Sequence, residues 1–131
     1  MSKHKVAVYG SLKQGYGNHD VLMGVPLLTK GITLPHFTML SLGGFPGLVF
    51  GDKSILVEIY EVDDNGLEHL DRLEGFPSFY NRVVVPVMTE SNAIDHVWIY
   101  ILAKPDHYKR SSIVTTQHPS GAITWPNPRY D

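Results

Sequence analysis

The chain has 131 residues, 43% of them hydrophobic and 18% charged, with a net charge of −2 and no cysteine. That size and balance describe a single globular domain over residues 1–131, able to bury a real core, and exclude a disordered segment. The near-neutral charge supplies no field to gather nucleic acid or anionic lipid, and the missing cysteines exclude disulfides, thiolate metal sites and a cysteine nucleophile.

The N-terminal stretch, Met1-Ser2-Lys3-His4-Lys5, lacks the apolar run and small-residue cleavage site of a signal peptide, and no later run reaches the ~20 apolar residues needed to cross a bilayer. No membrane partner and a cytoplasmic location are expected. The first element is a buried strand over residues 5–9, with Val6, Ala7 and Val8, stopped by Gly10. Residues 11–17 read as a loop carrying Gly15 and Gly17, and Asn18 is placed to cap a short helix ending near Met23. Residues 27–34 and 37–42 read as strands separated by Pro35. Gly43-Gly44-Phe45-Pro46-Gly47 then has the residues of a turn.

Residues 55–62 alternate, with Ile55, Val57 and Ile59 on one face and Tyr60 and Val62 on the other, as a strand requires. Asp63-Asp64-Asn65-Gly66 supplies turn and capping residues for a short helix whose Leu67, Leu70 and Leu73 share one face; Gly75 and Pro77 end it. Residues 82–88 and 94–103 are the plainest strands, joined by a polar Glu90-Ser91-Asn92 turn. Both are apolar at nearly every position, which predicts cover on both faces. Pro86 predicts an edge or a bulge. Residues 104–131, rich in polar side chains, His and Pro, read as a C-terminal arm on a core of residues 5–103. About six strands and short helices predict an α+β fold whose mixed or antiparallel sheet curls, closing into a small barrel.

Two segments could carry chemistry. Tyr9-Gly10-Ser11-Leu12, continuing to Gly15 and Gly17, leaves a buried strand where backbone N–H groups can form an anion nest. A phosphate loop fails, because Tyr16 follows Gly15 where Lys-Ser/Thr is needed, and the dinucleotide fingerprint fails on glycine spacing. A carboxylate suits this loop better than a phosphate, although alone the loop is more often ordinary strand-end punctuation. The second segment runs from Leu70 to Arg82. Glu74 ends its helix, where the dipole disfavours a carboxylate, and Leu73, Phe76 and Phe79 could desolvate it. Both effects favour the proton-accepting carboxylate that general acid–base work needs, whereas Arg72 or Arg82 would oppose them on reaching it. On these residues alone, a solvated glutamate at a helix end is the better reading. Tyr9, Tyr60, Tyr80 and Tyr100 lie in or beside strands, where packing with a hydrogen-bonded hydroxyl is the usual role. The seven histidines contain no His-x-x-x-His pair, so no metal site is expected, and no Gly-x-Ser-x-Gly elbow exists for a serine hydrolase.

Taken together, these segments resemble the gamma-glutamylcyclotransferase-like family, in its small gamma-glutamylamine type. Tyr9-Gly10-Ser11-Leu12 with Asn18-His19 looks like the family's opening signature, and Leu70-Asp71-Arg72-Leu73-Glu74-Gly75 with Tyr80 and Arg82 looks like its catalytic segment. Phe45-Pro46-Gly47-Leu48-Val49 and Val97-Trp98-Ile99-Tyr100 follow in order, over about residues 5–103. The resemblance implies a small mixed barrel and a pocket in which Tyr9, Gly10, Ser11 and Leu12 hold a glutamyl group, with Tyr80 lining it. It implies cyclisation of a γ-glutamyl amide or amine to 5-oxoproline with release of the amine, Glu74 acting as general base and then acid, and no metal or organic cofactor. The alternative is a noncatalytic module that binds a small carboxylate on the same fold. Neither the leaving amine nor the oligomeric state follows from the residues.

Overall fold

Strand β1 (Lys3–Val8) buries three consecutive residues, Val6, Ala7 and Val8, so both of its faces must be covered. The computed structural model, which describes residues 2–10 and 24–126, covers them by closing a barrel. The further elements are β2 (Leu27–Thr33), β3 (Phe37–Ser41), β4 (Pro46–Phe50), β5 (Leu56–Asp63), α1 (Asp64–Leu73), β6 (Tyr80–Thr89), β7 (Ile94–Leu102), a 3-10 turn (Pro105–Tyr108) and β8 (Ser112–Ile113). The barrel order is β1-β5-β2-β6-β7, and a second sheet runs β4-β3-β8. Neighbouring barrel strands are antiparallel except at the seam, where β1 and β7 run parallel with Val6 opposite Trp98 and Ala7 opposite Ile99. The expected α+β barrel is thus present, with five closed strands. The helix expected near residues 18–23 lies outside the described residues.

Alternation sorts the strand side chains into two clusters. Ala7, Val57, Ile59, Val87, Val97 and Ile99 pack with Phe37, Met39 and Leu48 of the second sheet. Val6, Val8, Tyr60, Val62, Tyr100 and Leu102 pack on the other face with Leu67 and Leu70 of α1. The Asp63 side chain caps that helix by accepting from the Gly66 N–H at 2.8 Å. Leu73 does not complete the apolar face; it is 44% exposed.

Three other expectations are corrected, and that for Pro86 is met as an edge. Residues 46–47 belong to β4 and not to the preceding turn, because Pro46 opens the strand opposite Ser41. The β6–β7 hairpin is not covered on both faces, since Val84 and Ile94 are about half exposed. Pro86 stays in register opposite His96 without a bulge, just beyond Val87 where pairing with β2 stops, so it occupies a locally free edge. The described part of the expected arm, residues 105–126, packs into the fold: β8 pairs with β3, Val114, Ala122 and Ile123 are buried, and Ile123 bridges Ile55. Among the described residues no helix is long and apolar enough to cross a membrane.

Candidate active site

Helix α1 ends in a Schellman turn. The Phe76 N–H donates to the Asp71 carbonyl at 2.9 Å and the Gly75 N–H to Arg72 at 3.2 Å, with Gly75 at φ +67°. Only glycine adopts that left-handed conformation without a Cβ penalty. Glu74 is therefore the C-cap residue, set at the point where the chain leaves the helix. The turn directs it to a cavity of about 550 Å3 between the end of β1, the 44–46 turn, the end of α1 and the start of β6.

Four expected site residues meet there: Tyr9, Gly10, Glu74 and Tyr80 all line this cavity. Ser11 and Leu12 lie outside the described residues. Gly10 is required by packing, because a Cβ at that position would stand 2.9 Å from the Pro46 Cγ. The expected four tyrosines all hydrogen-bond through their hydroxyls. Tyr9 donates to the Tyr100 carbonyl, Tyr60 to Glu58, Tyr80 to the Pro46 carbonyl and Tyr100 to Asp71. The Tyr80 hydroxyl is thus directed to main chain and not to Glu74.

Burial alone pushes the Glu74 carboxyl from 4.5 up to about 7, with no charge or hydrogen bond from the described residues acting on it. The two arginines that could have opposed this are engaged elsewhere. Arg72 donates to Glu68 one helical turn back, and Arg82 makes a bidentate pair with Asp71 at 2.8 and 3.0 Å. Phe76 covers Arg82 and is not one of the cavity-lining residues, so of the expected desolvating side chains only Leu73 and Phe79 face the site. Burial, reinforced by the neighbouring Glu74 charge, also pushes the phenols of Tyr9, Tyr80 and Tyr100 up, so they remain neutral donors.

Reading the sequence alone missed Tyr100 as a cavity wall and the Asp71–Arg82 pair behind it. The hairpin register carried the signal: once the turn at 90–92 is placed, Arg82 falls opposite Tyr100. Among the described residues no three His, Asp or Glu gather as metal ligands would.

The fold and site together define a class: a closed mixed barrel in which a buried carboxylate, without a partner among the described residues, lines a cavity of small-molecule size. Comparison with known proteins gives that class a family. The profile described as "Gamma-glutamyl cyclotransferase, AIG2-like" matches residues 6–121, beyond the point where the sequence resemblance ended. The chain belongs to this gamma-glutamyl cyclotransferase family. It is 38% identical to a Vibrio cholerae protein named "Putative gamma-glutamylcyclotransferase", over 76% of this chain and 82% of the relative. It is 26% identical to the gamma-L-glutamyl-butirosin B gamma-glutamyl cyclotransferase of Niallia circulans, over 76% of this chain and 67% of that one. Among solved structures, an AIG2-like protein from Mus musculus superposes with a TM-score of 0.78 at 25% identity, covering 98% of this chain and 99% of the other.

Proposed function

We propose that the protein is a cyclotransferase that converts a γ-glutamyl amide or amine to 5-oxoproline and a free amine, with Glu74 as general base and then general acid. The substrate contains its own nucleophile. Its α-amino nitrogen attacks the γ-carbonyl carbon, forming the C–N bond of a five-membered lactam, and the enzyme supplies orientation and proton transfer. Glu74 takes the proton from the α-ammonium group. It returns that proton to the departing nitrogen as the γ-amide C–N bond breaks, and the second proton that the attacking nitrogen sheds in becoming the lactam N–H protonates the released amine. Backbone N–H groups at Gly10 and Ser11 would bind the glutamyl carboxylate or the oxyanion, and Tyr9 and Tyr80 would enclose the glutamyl chain. The chemistry needs no metal or organic cofactor.

The observation that carries this reading is the Glu74 carboxyl, raised to about 7 by burial and without a partner among the described residues of the cavity. A mere carboxylate binder gains nothing from a negative group beside its ligand. The test is a panel of γ-glutamyl amides with different leaving amines, followed by 5-oxoproline release, for the wild type and Glu74→Gln. Turnover that the substitution nearly abolishes is expected. Full turnover in Glu74→Gln removes the assigned base. No turnover on any panel member, with thermal stabilisation by small carboxylates, identifies a binding module instead.

A further inference from the structure

Asp71 and Arg82 do not line the cavity, yet they form a polar pair bonded to one of its walls, Tyr100. The Arg82 guanidinium is held in the plane of the Asp71 carboxylate by two bonds and lies between two aromatic faces, 4.7 Å from Phe76 and 4.3 Å from Trp98. The pair is largely buried, with side chains 16% and 17% exposed. Asp71 also accepts the Tyr100 hydroxyl at 2.7 Å, and its carbonyl closes the turn that sets Glu74. Tyr100 itself lines the cavity, and Asp71, Glu74 and Arg82 all act on its phenol. Tyr100 thus touches the ion pair through its hydroxyl and shares the cavity with Glu74, a carboxylate without a partner among the described residues.

We propose that Asp71 is a positioning residue that confines the Arg82 charge behind the Tyr100 wall, so that Glu74 faces its substrate as an uncompensated carboxylate. This rests on Glu74 being the base of the proposed reaction. Among the described residues, the other groups facing Glu74 are the neutral phenols of Tyr9 after β1, Tyr80 on β6 and Tyr100 on β7, and the Arg72 guanidinium at the end of α1, a cavity-lining cation turned to Glu68 at 2.9 Å. An arginine within reach of a carboxylate lowers its pKa by roughly 1–3 units, which would return Glu74 to a weak base. Arginine's planar, permanently charged fork suits bidentate capture between aromatic faces, and lysine would not be held in this way.

The test follows the Glu74 carboxyl directly, by carbon-13 NMR titration, beside the pH dependence of kcat/KM. Asp71→Asn keeps the shape but frees the charge; the Glu74 midpoint should fall by about one pH unit, carrying the acid limb of the rate profile with it. Asp71→Asn combined with Arg82→Gln removes both charges and should restore the midpoint. Arg82→Gln alone leaves an unpaired carboxylate and should move the midpoint upward, a second reading should Asp71→Asn fail to fold. A midpoint unmoved in folded Asp71→Asn, or unmoved or lowered in Arg82→Gln, overturns the proposal. The titration needs no turnover, so an inactive wild type whose Glu74 still responds would sink the cyclotransferase reading and leave this one standing.

Discussion

The Tyr9 hydroxyl donates to the main-chain carbonyl of Tyr100 at 2.8 Å, tying the residue after β1 to the middle of β7. This bond lies beside the parallel seam of the barrel, where only two residue pairs, Val6 with Trp98 and Ala7 with Ile99, join the strands. It also commits the Tyr9 proton. With Tyr80 and Tyr100 likewise committed, to Pro46 and Asp71, the three phenols line the cavity beside Glu74, a carboxylate without a partner among the described residues. Burying a carboxylate without a partner is unfavourable, and among the described residues Glu74 has none; the hydrogen-bonded turn after α1 sets it there.

That tension predicts a trade between stability and activity. Folding raises the Glu74 pKa from 4.5 to about 7. A group raised on folding contributes fully below its unfolded value, and the contribution is lost as pH rises through the folded one. Stability from this residue should therefore fall between about pH 4.5 and 7, by at most about 3 kcal/mol. Glu74→Gln should abolish that dependence and melt higher than the wild type at pH 8, while turnover falls by roughly 10²–10⁴-fold. Thermal melts across pH and 5-oxoproline assays on one preparation check both halves.

The same carboxyl sets the rate profile. Glu74 must be ionised to accept a proton, and the substrate amine must carry one to give, so kcat/KM should be bell-shaped with an acid limb near pH 7. Glu74→Asp should keep an acid limb with reduced rate, whereas Glu74→Gln should have none. An acid limb near pH 4.5 in the wild type would mean that Glu74 is not desolvated in solution.

Much of this arrangement was legible in the residues, for local reasons. The strand ending at Gly10, the alternation through Ile55, Val57 and Ile59, and the helix capped by Asp63 each follow from neighbours a few positions apart. Glu74, Tyr9, Gly10 and Tyr80 share a cavity because those elements meet at the open end of β1. What stayed hidden was nonlocal. Pro46 resembles a turn residue until its ring is seen against Gly10, and Asp71 finds Arg82 and Tyr100 only through the helix–hairpin contact. Val84 and Ile94 are as apolar as their buried neighbours, so composition could not show which face of the hairpin stays open.

Gly10 tests the packing beneath the site. A methyl group there would stand 2.9 and 3.0 Å from Pro46 Cγ and Cδ, so β1 and the start of β4 would have to separate. Gly10→Ala should lower stability by about 1–3 kcal/mol, as overpacking does. It should also raise KM more than it lowers kcat, because the cavity wall moves while Glu74 keeps its helix. Urea denaturation and steady-state kinetics separate the two effects.

The C-terminal segment offers the last test, since its composition and its packing disagree. Residues 104–126 have no sustained periodicity, yet Ile123 is only 4% exposed, and its backbone bonds Ser54 and Leu56 at 2.8 and 2.9 Å beside β5. An appended arm would tolerate truncation of that side chain. A core residue would lose about 2–5 kcal/mol through transfer and cavity terms. Ile123→Ala should therefore lower the denaturation midpoint by an amount of that order, while the rate profile of the molecules that remain folded keeps its acid limb, because Ile123 packs on the Ile55 side of β5 and does not line the cavity. A midpoint equal to the wild type would show that the segment rests on the barrel without supporting it.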